Sequence, residues 1–163
     1  MRPLIATGIT VGFLAGLWAW TSDQLGAPTW VAVVSWAAFF AADGKAAGLV
    51  KTAASTLSGV AWGWLSVLAA GLATRWSGAL PVAVAVAVIA FAMCAQASWT
   101  LLSFIPGAFL GAAALFGNAG DVPVTAAVLV VGVLLGIASE RSADLLVRST
   151  TRESDTESGA VPA

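Results

Sequence analysis

The stretch from Trp30 to Lys51, WVAVVSWAAFFAADGKAAGLVK, constrains the chain more than any other, because an apolar helix stops there too early. Its uncharged part, Trp30 to Ala42, is thirteen residues long and reaches only ~20 Å at about 1.5 Å per residue, against a hydrocarbon core of roughly 30 Å. With the Asp43-Gly44-Lys45 break behind it, the stretch is either a shortened membrane helix accommodated by bilayer thinning, or a half-helix that ends inside the protein beside a polar cavity.

A membrane setting follows from composition. Of 163 residues, 60% are hydrophobic, 9% are charged and none is histidine, which cannot supply the mostly polar surface of a soluble globule. The length allows five or six spans with short loops and leaves no room for a soluble catalytic domain. The lipid bilayer is therefore the first partner, and the absence of a basic stripe argues against nucleic acid. A lone Cys94 cannot form an intrachain disulfide and is expected as a small core residue. Arg2 and the apolar run after it resemble a signal peptide, but without a small-x-small cleavage site the segment is expected to stay as an anchor.

The expected fold is all-α and integral to the membrane, with six transmembrane helices over residues 1–148 and a disordered cytoplasmic tail over 149–163. The first span, Leu4 to Thr21, carries Gly8, Gly12 and Gly16 on one face, which predicts a packing seam. The second is the short stretch. The third, Ala46 to Ala73, opens with Lys51, Thr52, Ser55, Thr56 and Ser58 and then offers Gly59 and Gly63 as a second seam. The fourth runs from Leu80 to Ala97, with Gln96 expected at the interface. Pro106 and Gly107 predict a kink or break in the middle of the fifth, Ser98 to Gly117, because proline removes a backbone donor. The sixth, Val124 to Ser139, has Gly132 and Gly136 at close-packing spacing. With six spans, Arg2, Lys45, Lys51, Arg141, Arg148 and Arg152 fall on one side and Arg75 on the other, so the positive-inside rule predicts an inner- or plasma-membrane protein with both termini in the cytoplasm.

The irregular second and fifth segments also divide the chain into two halves of three. Ser35-Trp36 followed by Phe39-Phe40-Ala41-Ala42 is echoed by Ser103-Phe104 followed by Phe109-Leu110-Gly111-Ala112, with a gap longer by two residues. Two related halves of three spans would insert in opposite senses, the 3+3 inverted-repeat plan of many channels and transporters.

At the Trp30 to Lys51 stretch, the Ser58-Gly59-Val60-Ala61-Trp62-Gly63-Trp64 run and the Phe104-Ile105-Pro106-Gly107-Ala108-Phe109 core of Ser98 to Gly117, the sequence resembles a family of short bacterial inner-membrane proteins classed as domain of unknown function 1097. The resemblance implies a multispan inner-membrane protein and carries no assigned activity or catalytic residues.

Without His, Tyr, a mid-span acidic pair or a second Cys, the chain is not expected to be an enzyme, to hold a metal or to need a cofactor. No span has a charge at its centre, which argues against ion-coupled pumping. The leading expectation is a channel or facilitator for a small, mostly uncharged solute. Phe39, Phe40, Phe104 and Phe109 are its expected constriction. Ser35, Thr52, Ser55 and Ser103, with carbonyls freed at the Pro106-Gly107 break, are its polar lining. Asp43, Lys45 and Lys51 mark the cytoplasmic mouth, and the glycine seams would serve internal packing or a homo-oligomer. The alternatives are a secondary transporter gated at Asp43 and Lys51, and a membrane scaffold that transports nothing.

Overall fold

The computed structural model describes residues 3–73 and 79–158, with side chains at 73 and beyond 149 excepted. It holds six α-helices, α1 (Pro3–Leu25), α2 (Thr29–Ala41), α3 (Lys45–Ala73), α4 (Leu80–Ala95), α5 (Ile105–Gly117) and α6 (Val122–Ser158), and no strand among the described residues. Four helical segments, Pro3–Leu25, Lys45–Leu72, Leu80–Ser98 and Val122–Ser149, are long and apolar enough to cross a membrane, whereas α2 and α5 have 13 residues each. Arg2 and Arg75, used in the charge count above, lie outside the described residues, as does residue 159 onward. α6 has no break at Ser149, where the sequence suggested a tail.

Local chemistry sets these boundaries. α1 ends at Gly26, whose φ of +61° suits a residue without Cβ, and Pro28 sits directly ahead of α2. The fifth segment is not a helix kinked at its middle. Two short 3-10 turns, Gln96–Ser98 and Thr100–Leu102, flank an extended Trp99, and α5 starts only at Ile105 with Pro106 in its first turn. Proline is tolerated there because the first amides of a helix have no partner to lose. The expected break at Pro106-Gly107 is thus the beginning of a helix.

α2 and α5 match in detail. The buried residues of α2 are Val31, Ala32, Ser35, Trp36, Ala38 and Phe39, and those of α5 are Gly107, Ala108, Gly111, Ala112, Ala114 and Leu115, the same six positions 76 residues further on. Both helices end alike. The Gly44 amide donates to the Phe39 carbonyl at 3.1 Å and the Gly120 amide to the Leu115 carbonyl at 2.9 Å. Asp43 and Gly44 (φ 66° and 61°), like Ala119 and Gly120 (φ 53° and 80°), take left-handed backbone there. The long helices after them agree as well. Buried positions 52, 55, 56, 59, 60, 63 and 66 of α3 recur as 125, 128, 129, 132, 133, 136 and 139 of α6, 73 residues on.

Packing follows the same scheme. α3 lies chiefly against α5, α2 against α6, and α4 and α1 flank α3 and α6 respectively. A Cβ at Gly59 would meet the Ala108 carbonyl, and one at Gly132 would meet the Ala32 carbonyl, so both crossings bring backbone against backbone. Gly63 lies against Ala112 and Leu115, as Gly136 lies against Phe39. By contrast, nothing approaches Gly8, Gly12 or Gly16, so the seam expected on α1 makes no contact within the chain. Cys94 is exposed on α4 and is not the core residue expected.

Candidate functional site

The centre of the bundle is lined by hydroxyls. Thr52, Ser55, Thr56, Ser66, Ser35, Thr125 and Ser139 are all buried, and most satisfy themselves on nearby carbonyls. Ser35 Oγ donates to the Leu129 carbonyl of α6 at 2.7 Å, Thr56 Oγ1 to the Thr52 carbonyl at 2.8 Å, and Ser139 Oγ to the Gly136 carbonyl at 2.7 Å while accepting from Trp36 Nε1 at 3.1 Å. Thr52 Oγ1 makes only a long 3.5 Å contact with the Ala38 carbonyl. Ser55 Oγ is fully buried and has no hydrogen-bond partner. Every buried polar side chain among the described residues is a hydroxyl except Gln96, and none carries a charge.

The structure brings some of the residues named from sequence together and separates others. Ser35, Thr52 and Ser55 lie in this core, but Ser103 Oγ bonds locally to the Thr100 carbonyl at 2.9 Å in the α4–α5 connection. The four phenylalanines do not converge. Phe39 is fully buried and meets Phe40 edge-on at 5.4 Å, Phe40 itself is exposed, Phe104 covers Gly107, and exposed Phe109 lines a cleft of about 260 Å³ between α3, α4 and α5. Gly107 is needed where it stands, since a Cβ there would press on Ser55 and Phe104. Asp43 and Lys45 are exposed and Lys51 half-buried.

At the turn before α3 the sequence misses a partner. Glu140 Oε2 of α6 accepts the Lys45 backbone N–H at 2.7 Å and so caps the start of α3 across the bundle. In the other half Asp121, 76 residues after Lys45, caps α6 from within its own turn, accepting the Val124 N–H at 3.1 Å. Among the described residues no three of Cys, Asp and Glu are grouped as metal ligands would be.

The second residue missed is Gln96. Expected at an interface, it is 8% exposed, and its Oε1 accepts the Trp62 Nε1–H at 2.9 Å. Trp62 stands 17 residues along the 29-residue α3, about 25 Å from its start, so α4 gives way to the 3-10 turns well inside the bundle's length. The cue in the sequence was Pro106, which bars α5 from extending back toward Gln96.

Residues 8–144 match the model of a family described as protein of unknown function (DUF1097). Over 143 residues the chain is 36% identical to the inner membrane protein YcdZ of Escherichia coli, covering 87% of this chain and 86% of that one. The YcdZ of Salmonella typhimurium is 35% identical over 143 residues, covering 87% and 88%. The E. coli protein named as uncharacterized protein YahC is 32% identical over 165 residues, covering 93% and 98%. No solved structure matches the chain.

Proposed function

The chain belongs to the DUF1097 family, and from that premise we propose that it is a facilitator through which a small, mostly uncharged solute crosses the inner membrane without ion coupling. In this reading the six helices form a 3+3 inverted repeat with both termini in the cytoplasm. The observation that carries it is the recurrence of one burial pattern in α2 and α5 and of another in α3 and α6. Three segments per half would insert the halves in opposite senses, the plan on which many solute pathways are built. The neutral, hydroxyl-lined core supports an uncharged solute, because coupling to ions asks for an ionisable group at depth. Assembly of the protein as a homo-oligomer belongs to the same proposal.

The close backbone contacts at Gly59 and Gly132 favour a second reading, in which the halves must part for each passage and Asp43 and Lys51 act as gate residues. Stopped-flow light scattering of purified protein in liposomes, under gradients of water, glycerol, urea and small amides, separates the two. Permeation above that of empty liposomes, kept in the Asp43→Asn, Lys51→Gln double variant, is the facilitator's result. Loss of permeation in that variant points to the gated transporter, and rates equal to empty liposomes for every solute point to a scaffold.

A further inference from the structure

We propose that the cleft between α3, α4 and α5 binds a small, uncharged, fused-ring aromatic molecule with a ring N–H, the chemistry of indole. The chain supplies the template in its other half. Trp36 of α2 is buried, and its Nε1–H donates at 3.1 Å to Ser139 Oγ, which has already given its own hydrogen to the Gly136 carbonyl at 2.7 Å. The equivalent of Trp36 on α5, 76 residues on, is Ala112, and the equivalents of Gly136 and Ser139 on α3, 73 residues back, are Gly63 and Ser66. Ser66 Oγ makes the same 2.7 Å bond to the Gly63 carbonyl. The hydroxyl is thus posed as its counterpart is, with its hydrogen committed and its oxygen lone pairs left to accept. Ser66 lines the cleft and keeps 9% of its surface open.

Where the first half places an indole, the second leaves the cleft of about 260 Å³, bounded by Gly63, Ser66, Met93, Phe109, Ala112 and Phe116 among others. Pockets for drug-sized ligands begin at roughly 300 Å³, so this one suits a single fused ring pair. The helices around the two places correspond as well, since α4 packs on α3 and touches α5 as α1 packs on α6 and touches α2. The lining narrows the class of ligand. Among the described residues that line the cleft, Ser66 has the only polar side chain, and it is neutral, so an ion would lose its hydration there without compensation. A molecule with acceptors alone would leave the Ser66 lone pairs unmatched. The rings of Phe109 and Phe116 and the thioether of Met93 favour an aromatic partner, by edge-to-face and sulfur–ring contact. Trp36 is only 4% exposed, so the place it marks lies behind the helix surface, which favours a free ring over one tethered to a neighbouring backbone.

The inference goes beyond the solute route and needs only the matching burial of the two halves. It is tested by equilibrium dialysis of labelled indole against the full chain in lipid nanodiscs, with empty nanodiscs subtracted. Benzofuran, a ring of the same shape without an N–H, is measured beside it. Saturable binding of indole, about tenfold tighter than benzofuran and lowered to the level of benzofuran by Ser66→Ala, is the expected result. Ala112→Trp places in the cleft the ring that α2 already carries and is expected to abolish binding. Ser66→Ala removes a single oxygen, which keeps the test open should Ala112→Trp fail to fold. No saturable binding, equal affinity for benzofuran, or wild-type affinity for indole in either variant would overturn the proposal. So would dissociation of an oligomer by indole or by Ala112→Trp, read by light scattering, which would assign the cleft to a tryptophan of a second copy. Retained liposome permeation beside absent indole binding would sink this inference alone.

Discussion

Adding one methyl group at Gly59 tests the packing scheme quantitatively. The Cβ of Gly59→Ala would stand 2.7 Å from the Ala108 carbonyl carbon and 2.9 Å from its Cα, with the carbonyl oxygen closer still. Carbon atoms rest at about 3.5–4.0 Å, so α3 and α5 must separate by about 1 Å at their crossing, and contacts along it lose up to roughly half their attraction. Overpacking of this kind costs up to ~3 kcal/mol, and the better helix propensity of alanine returns ~1 kcal/mol, leaving a loss of about 2 kcal/mol. Gly132→Ala should cost about as much, because its Cβ would stand 2.7 Å from the Ala32 carbonyl carbon in the equivalent crossing. Gly12→Ala, with nothing within 4 Å, should instead gain roughly 0.5–1 kcal/mol. Reversible unfolding in mixed micelles with rising denaturing detergent reads all three. The reasoning fails if the Gly59 and Gly132 variants unfold within about 0.5 kcal/mol of wild type, or if Gly12→Ala is as destabilised as they are.

Other substitutions probe single contacts. Glu140→Ala should cost about 1 kcal/mol and speed hydrogen exchange at the Lys45 amide, since it removes the carboxylate that accepts that N–H. Lys45→Gly should stabilise the fold by roughly 1 kcal/mol in the same unfolding assay, because Lys45 holds φ at 58° where a Cβ is strained. Ser139→Ala should destabilise by about 1–3 kcal/mol, leaving the buried Trp36 indole N–H without its acceptor.

Much of the fold could be read from small residues and turn chemistry. The early stop of α2 was visible in Asp43-Gly44, and the Gly59/Gly63 and Gly132/Gly136 spacings pointed to helix crossings that the structure contains. The same spacing at Gly8, Gly12 and Gly16 meets no partner within the chain, because it permits a close approach without supplying one. The sequence pairs Ser35 with Ser103 and Phe39 with Phe109, whereas the burial patterns of α2 and α5 agree in another register, with Ser35 at the position of Gly111 and Phe39 at that of Leu115. What recurs is which positions are covered, and coverage is met by different chemistry on the two sides, Trp36 filling space at the position where Ala112 leaves a cleft. The candidate site was less legible. Aromatic residues in an apolar chain carry no sign of whether they face a pathway, a neighbouring helix or lipid, and Phe40 and Phe109 proved exposed. That Gln96 is buried against Trp62 is not legible from an amide near a helix end, since the pairing depends on how α4 runs back along α3.

The proposed opposed insertion of the two halves is most directly tested at the turns after α2 and α5. In a Cys94→Ala background, Asp43→Cys and Ala119→Cys each place one thiol at a left-handed turn position after a 13-residue helix. An impermeant maleimide applied to intact cells should label the thiol at 119 and spare the one at 43 until the membrane is opened. Labelling of both thiols, or of neither, from outside the intact cell would place the two turns on one side of the membrane and contradict the inverted repeat.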